Sequence, residues 1–177
     1  AMFSPNLHYF IITFSSITQF RVYTLNDAKA GKQLQMIEEN QTLSNNLKGF
    51  NLPTKEFSVL KTEKGIELNM WMMKPKDFDA TKKYPVFMFQ YSGPGSQQVN
   101  NDWNSGDDYW FASLTQKGYI VACVDGRGTG FKGAAFKKVT QKELGKYEVI
   151  DQIDAAKVLG SYSFVDKSRI GIFGWSF

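Results

Sequence analysis

The sequence predicts an α/β fold with an antiparallel, β-rich start. Three short apolar runs, at residues 86–91, 119–124 and 170–173, are bounded by glycine or proline and are too continuously apolar for strands with one face in water. Two segments with helical spacing lie between them and end near Gly118 and Gly160. Strand, helix, strand, helix, strand is the order of a parallel βαβαβ sheet that is covered on both faces.

The composition is typical of a soluble globular protein. The 177 residues are 42% hydrophobic and 21% charged, as in soluble globular domains. Lys and Arg outnumber Asp and Glu by 21 to 17, but the cations are scattered, so we expect no nucleic acid partner. The single cysteine, Cys123, argues against a disulfide or a Cys-rich metal site and sits in an apolar run typical of a buried thiol. We expect no cofactor and no metal. We also expect no membrane-spanning segment, because no run reaches roughly 18 apolar residues.

The residues before Pro53 form a predicted first domain, residues 1–52. Residues 8–15, 20–26 and 33–38 are rich in aromatic and β-branched side chains and are separated by turn residues, which indicates short antiparallel strands. A more polar stretch that follows them is either a short helix or a loop.

Residues 53–177 form the predicted second domain. It opens with two strand-like segments, 57–62 and 66–73, that flank a Glu-Lys-Gly turn. A glycine-containing loop between two such segments predicts a β-hairpin. The hairpin therefore precedes the parallel sheet.

Ser176 is the candidate nucleophile. The Gly-Trp-Ser sequence at 174–176 follows an apolar strand directly, where a G-x-S-x-G elbow lifts its serine hydroxyl above the sheet on a tight turn. Gly-x-Ser alone occurs by chance about once in a chain of this length, so a surface turn serine is the alternative.

Tyr91 begins a Tyr-Ser-Gly-Pro-Gly loop after the first parallel strand. Its sequence is compatible with an ordinary turn. The alternative is a loop whose tyrosine hydroxyl donates a hydrogen bond to the oxyanion that forms when Ser176 attacks a carbonyl.

A second glycine-rich loop follows the next strand. Gly128 to Gly133 spell G-x-G-x-x-G, and Glu148 lies further on. That pattern admits a non-catalytic nucleotide-binding module. The acidic residue of such a module closes a strand, whereas Glu148 falls within a helical run, which favours a structural loop.

The general base of a serine hydrolase is missing from these residues. His8 is the single histidine and is predicted to be a strand residue. In G-x-S-x-G hydrolases the acid and the histidine follow the serine, and only Phe177 follows Ser176. Without an imidazole to take its proton, the serine hydroxyl is a poor nucleophile at neutral pH, so we expect the isolated chain to be inactive.

Four motifs in order resemble the dipeptidyl peptidase IV family of prolyl oligopeptidase-type serine peptidases. Residues 91–97 are similar to its oxyanion loop, 124–130 to its next edge loop, 144–152 to the start of the following helix, and 169–177 to its nucleophile strand and elbow. Residues 22–25 and 34–40 resemble the end of its last β-propeller blade.

The resemblance implies a fold and an activity. Residues 1–52 would be the last strands of a β-propeller, and residues 53–177 the first half of an α/β-hydrolase domain, cut after its nucleophile. The activity would be release of N-terminal Xaa-Pro or Xaa-Ala dipeptides. Ser176 would be the acylated nucleophile, the Tyr91 hydroxyl and the Phe177 backbone N–H would form the oxyanion hole, and the Phe177 ring would line the proline pocket. The triad acid and histidine would lie outside these residues.

Partners and location follow from the same resemblance. We expect peptide N-termini as substrates, a homodimer for the parent enzyme and an extracytoplasmic location, in the periplasm or cell envelope of a bacterium. An exposed apolar sheet edge predicts self-association of this chain. Another prolyl oligopeptidase-like or acylaminoacyl peptidase is the alternative within the enzyme class.

Overall fold

The structure, a computed structural model, describes residues 1–50, 52–103 and 107–177. The described residues form two compact units. The first consists of the residues up to Leu52 together with 101–103, and the second consists of the remainder. The sequence-based division at Pro53 assigned 101–103 to the second unit, so this short excursion is a finding of the structure.

The first unit is a four-stranded antiparallel sheet followed by a short helix. Its strands lie in chain order: β1 (Met2–Phe3), β2 (Tyr9–Ser16), β3 (Gln19–Asp27) and β4 (Gln33–Glu38). Helix α1 is Gln41–Leu47. The three predicted antiparallel strands are confirmed, and the polar stretch after them is a helix. Strand β1 was not predicted, because two residues carry no alternation.

Asp102 and Trp103 belong to this unit through their side chains. The Asp102 carboxylate accepts a hydrogen bond from the Ser15 hydroxyl and forms an ion pair with Arg21 at 2.9 Å. The Trp103 ring lies 4.3 Å, centroid to centroid, from that of Phe20. These contacts explain why the excursion groups with the strands of the first unit.

The second unit contains a five-stranded mixed sheet. Its strands are β5 (Glu56–Lys61), β6 (Glu67–Met73), β7 (Tyr84–Gln90), β8 (Ile120–Asp125) and β9 (Val165–Gly174), in the order β5-β6-β8-β7-β9. β5 and β6 form the predicted antiparallel hairpin, and β6 continues antiparallel to β8. β7 runs parallel to both β8 and β9, so that Met88 lies opposite Ala122 on one side and Ile172 on the other. The predicted parallel strands are therefore confirmed, within a mixed sheet. The expectation that the apolar run 170–173 is covered on both faces was wrong: β9 is an edge strand, Ile170 is half-buried and residues 171–173 are exposed.

Helices cover the two faces of this sheet. α2 (Asp108–Gln116) connects β7 to β8, and α3 (Gly133–Lys138) and α4 (Lys146–Gly160) lie between β8 and β9. Side chains of β8 alternate between two core clusters: Val121 and Cys123 pack with Phe111 of α2, whereas Ile120 and its even-numbered neighbours pack with Leu159 of α4. Cys123 is a buried free thiol, as predicted.

Helix α3 was not predicted. None of its six residues is buried, so it has no apolar periodicity that the sequence could display.

Among the described residues, no helix is both long and apolar enough to cross a membrane.

Two isoleucines of the second sheet, one on β8 and one on β9, distinguish core from surface. Ile120 is fully buried, whereas Ile172 is 57% exposed. We expect Ile120→Ala to lower the free energy of unfolding by about 2–5 kcal/mol, since it removes buried methyl groups and leaves a cavity. The matched control Ile172→Ala should change it by no more than about 0.5 kcal/mol. Urea denaturation, at a chain concentration where light scattering shows a monomer, measures both. Equal losses would contradict this assignment of the core.

Candidate functional site

The candidate site lies at the edge of the second sheet where three parallel strands end. Tyr91 follows β7, Asp125 closes β8, and Ser176 follows β9. Because parallel strands present their carboxyl ends at the same edge, the loops after them meet there, and ligands of open α/β sheets bind at this edge.

Ser176 occupies a strained backbone conformation. Its φ is +70°, in the left-handed region that is uncommon for residues other than glycine. The Phe177 N–H donates to the Trp175 carbonyl at 3.1 Å and closes a γ-turn around Ser176. Such conformations cost about 1–3 kcal/mol and cluster at functional sites. A sharp turn between strand and helix is also what a nucleophile elbow requires.

Gly174 lets β9 approach the end of β7 closely. A Cβ added at Gly174 would lie 2.9 Å from the Gln90 carbonyl oxygen and would also collide with the Gln90 side-chain amide. Only glycine fits this position without a shift of one strand end. The glycine of the Gly-Trp-Ser sequence is thus required by the strand pairing itself.

The loop after β7, residues 91–99, is here named the tyrosine loop. The Tyr91 ring folds over Gly93, where an added Cβ would lie 2.9 Å from the ring carbon Cε1. The Ser96 hydroxyl donates to the Tyr91 carbonyl at 3.2 Å, which closes the loop on itself. These contacts hold the aromatic ring close to its own loop.

The tyrosine loop contacts the segment that carries Ser176. The Ser92 N–H donates to the Phe177 carbonyl at 3.3 Å. The structure therefore brings together the neighbourhoods of Tyr91 and Ser176, which are 85 positions apart in the chain. The Phe177 N–H, predicted to be an oxyanion donor, is engaged with Trp175, and the Phe177 side chain is 38% exposed.

The loop after β8, residues 125–130, is here named the edge loop. Asp125, at its start, is buried, and its carboxylate accepts the backbone N–H groups of Gln98 and Val99 at 3.0 and 2.9 Å. Burial raises the pKa of Asp125, and the two N–H donors offset part of that rise. Asp125 thus ties the far end of the tyrosine loop to β8.

The glycines of the edge loop face protein atoms. Gly128 has a φ of +99°, and an added Cβ would lie 2.8 Å from the Thr140 Cγ2 atom, while one on Gly130 would lie 3.2 Å from the Gly95 carbonyl oxygen. Glu148 lies in the first turn of α4 and accepts the Gly145 N–H at 3.0 Å. A dinucleotide site needs open backbone for a pyrophosphate and an acid at the end of a strand. The geometry favours the structural loop.

His8 belongs to the first unit. It lies in the bend directly before β2, so the prediction that it is a strand residue was wrong by one position. Its carbonyl accepts the Ala28 N–H at 2.9 Å. This backbone contact explains its place next to the sheet.

An apolar groove of about 500 Å³ runs between α4 and β9. Val149, Ile153 and Ile172 line it, and each is more than half exposed. Glu148 and Gln152 add polar atoms, and the Oε1 atom of each has no hydrogen-bond partner within the described part of the chain. The groove is therefore an uncovered apolar face with two buried acceptors.

Comparison with known proteins shows which protein family the chain resembles. Residues 105–177 match the profile of the prolyl oligopeptidase family. The crystal structure of Porphyromonas gingivalis dipeptidyl peptidase 4 superimposes on 99% of the chain with a TM-score of 0.92 and 46% sequence identity. The chain is thus similar to members of the prolyl oligopeptidase family.

Its similar proteins within that family are dipeptidyl peptidases. Dipeptidyl aminopeptidase B of Saccharomyces cerevisiae is 45% identical over 83% of the chain, and dipeptidyl peptidase 4 of Trichophyton equinum is 38% identical over 100% of it. The resemblance to the dipeptidyl peptidase IV family is therefore confirmed. The chain spans 19% of the yeast protein, 23% of the Trichophyton protein and 24% of the Porphyromonas chain.

Some residues that shape the site were given no role by sequence reasoning. Gly93 lies under the Tyr91 ring, and Gln90 lies against Gly174. Only the folded chain reveals these two contacts. Asp151 on α4 is fully buried and paired with Arg127 of the edge loop. The motif containing Asp151 was part of the family resemblance, but nothing in its spacing indicated which group it meets.

Two glycines on β9 test the close approach of strands. We expect Gly174→Ala to lower the free energy of unfolding by about 1–3 kcal/mol, because the added methyl group overpacks against Gln90. Gly171→Ala is the matched control, since nothing lies within 4 Å of a Cβ at that position. Urea denaturation of both variants checks the difference. A Gly174→Ala variant as stable as Gly171→Ala would show that the strand ends do not approach as described.

Proposed function

We propose that the chain is part of a serine exopeptidase that releases dipeptides with proline or alanine in second position from peptide N-termini. The observation that carries this proposal is the strained turn at Ser176, which directly follows β9 and is hydrogen-bonded to the tyrosine loop. The family and the dipeptidyl peptidases similar to the chain support it. Residues 1–52 would be the end of a β-propeller, and residues 53–177 would belong to the first half of an α/β-hydrolase domain.

The chemistry begins at the Ser176 hydroxyl. Its oxygen attacks the scissile carbonyl carbon, its proton passes to a histidine, and the carbonyl electron pair moves to oxygen. The Tyr91 hydroxyl and the Phe177 N–H donate to this oxyanion. Collapse expels the peptide amine, which takes the proton from the histidine, and leaves a dipeptidyl ester on Ser176 that water hydrolyses. The Phe177 N–H has to leave its Trp175 partner to take part, and the Phe177 ring would line the proline pocket.

The chain alone lacks the groups that activate its serine. Its single histidine, His8, precedes Ser176 in the sequence, whereas the histidine of G-x-S-x-G hydrolases follows the serine. We therefore propose that the triad acid and histidine come from residues outside these 177, and that the isolated chain does not turn over peptides. An extracytoplasmic location and a homodimeric parent are further parts of the proposal and rest on the family resemblance alone.

Activity of the full-length protein tests the roles of Ser176 and Tyr91. With a Gly-Pro chromogenic amide, we expect Ser176→Ala to abolish hydrolysis and labelling by a fluorophosphonate. Tyr91→Phe should lower kcat by about 10²–10³ with little change in KM, because the lost hydrogen bond forms only in the transition state. Tyr109→Phe, an exposed tyrosine of α2, is the control. An active Ser176→Ala enzyme, or fast stoichiometric labelling of the isolated 177 residues, would overturn the proposal.

The apolar groove supports the proposed self-association of the isolated chain. Its exposed aliphatic side chains form a contiguous patch, and such patches mark interaction surfaces. We expect wild-type chains to elute as dimers or larger species, and Ile172→Glu to shift them toward monomer by placing a charge in the groove. Val59→Glu, at an exposed position on β5, is the control. Size-exclusion chromatography with light scattering measures both, and a monomeric wild type would refute the expectation.

A further inference from the structure

The edge loop and the tyrosine loop are joined by two backbone hydrogen bonds. The Gly95 N–H donates to the Gly128 carbonyl at 2.8 Å, and the Gly130 N–H donates to the Ser96 carbonyl at 2.8 Å. The loops approach so closely that an added Cβ on Gly130 would lie 3.2 Å from the Gly95 carbonyl oxygen. The edge loop therefore supports the tyrosine loop directly through main-chain contacts.

The edge loop is held in turn by one carboxylate of α4. Asp151 is fully buried and accepts four hydrogen bonds from Arg127: from the backbone N–H at 2.7 Å, from Nε to both oxygens at 3.0 Å, and from Nη2 at 2.6 Å. The same side chain thus fixes both the main chain and the guanidinium of one loop residue. A planar guanidinium matches a carboxylate in this way, and lysine does not.

Two neighbours pack against the Asp151–Arg127 pair, which is here named the clamp. The Arg127 guanidinium lies 4.6 Å from the centroid of the Tyr147 ring, which also belongs to α4. Gly126 passes close to the helix, since an added Cβ would lie 3.2 Å from the Asp151 Cβ atom. The edge loop is therefore seated on α4 by a buried, multiply hydrogen-bonded pair and not by a solvated ion pair.

A continuous set of contacts leads from α4 to Tyr91. Asp151 holds Arg127, and the edge loop holds Gly95 and Ser96 by the two backbone hydrogen bonds. Ser96 in turn donates its hydroxyl to the Tyr91 carbonyl. Every contact in this series is 3.2 Å or shorter. We propose that Asp151 is a positioning residue, which holds the Tyr91 hydroxyl in place for the oxyanion through the edge loop.

This role rests on the proposed peptidase function, because it concerns the transition state of that reaction. An oxyanion donor is effective only at about 2.7–3.1 Å from the developing charge. A loosened tyrosine loop would hold the donor at a longer and more variable distance. Loss of the clamp should therefore lower kcat and leave KM nearly unchanged.

The test uses the full-length protein and the Gly-Pro chromogenic amide. We expect Asp151→Asn to lower kcat about 10- to 100-fold, less than the full loss of an oxyanion donor. Asp154→Asn is the matched control: it is the same substitution on the same helix, and Asp154 pairs with Lys157 at 3.7 Å. It should leave kcat unchanged.

A double-mutant cycle separates positioning from general loss of stability. If Asp151 acts through the Tyr91 hydroxyl, Asp151→Asn should change kcat by less than about threefold when Tyr91→Phe is already present. The same factor in both backgrounds would overturn the inference, as would a kcat for Asp151→Asn equal to that of the wild type.

A second variant covers the case in which Asp151→Asn does not fold. Gly130→Ala leaves the buried pair intact but pushes the edge loop from the Gly95 carbonyl. It should lower kcat in the same non-additive way with Tyr91→Phe, and additive behaviour would count against the inference. Failure of the proposed function has a different signature: a wild type that does not cleave the amide, or a Ser176→Ala variant that still does.

Discussion

The parallel pairing of β7 with both β8 and β9 is the constraint from which the site follows. Parallel strands end at the same edge, so the residues after β7 and β9 are neighbours although most of the second unit separates them in sequence. The register places Gln90 opposite Gly174, and this pairing leaves room for glycine alone. The turn at Ser176 and the backbone contact from Ser92 to Phe177 both begin from that shared end. A one-residue slip of β9 would exchange the faces of its side chains and displace the serine.

The general plan of this sheet could be predicted from the sequence because burial on both faces leaves a visible signature. The six residues of β8 are all buried, and their continuous apolar run marked the strand. β9 was predicted as four residues but has ten, because its first half contains the polar residues Lys167, Ser168 and Arg169, whereas 170–173 form an apolar run although most of it is exposed. Helix α3 has no buried residue and so gave no periodic signal. Patterning therefore reveals apolar runs, and such a run marks a strand even where, as in β9, most of it is exposed.

The candidate site also contains features that the sequence predicts and features that it does not. Ser176 and Tyr91 could be found because each follows an apolar run and belongs to a recognisable motif. The contacts that shape their surroundings could not, since they join residues distant in sequence and involve backbone atoms or the absence of a side chain, as at Gly93. Asp151 illustrates the limit well. An acid on a helix is usually a solvated residue, and only the fold shows that this one is fully buried and paired.

The buried Cys123 gives the second unit an internal reporter. Its sulfur lies between the sheet and α2, and burial raises the pKa of the thiol well above its ordinary value, so a reactive thiolate is suppressed while the unit stays closed. Because it is the single cysteine of the sequence, any reaction with a thiol reagent has one origin. The rate of that reaction therefore measures how often the α2 face of the sheet opens to solvent, without a label being introduced.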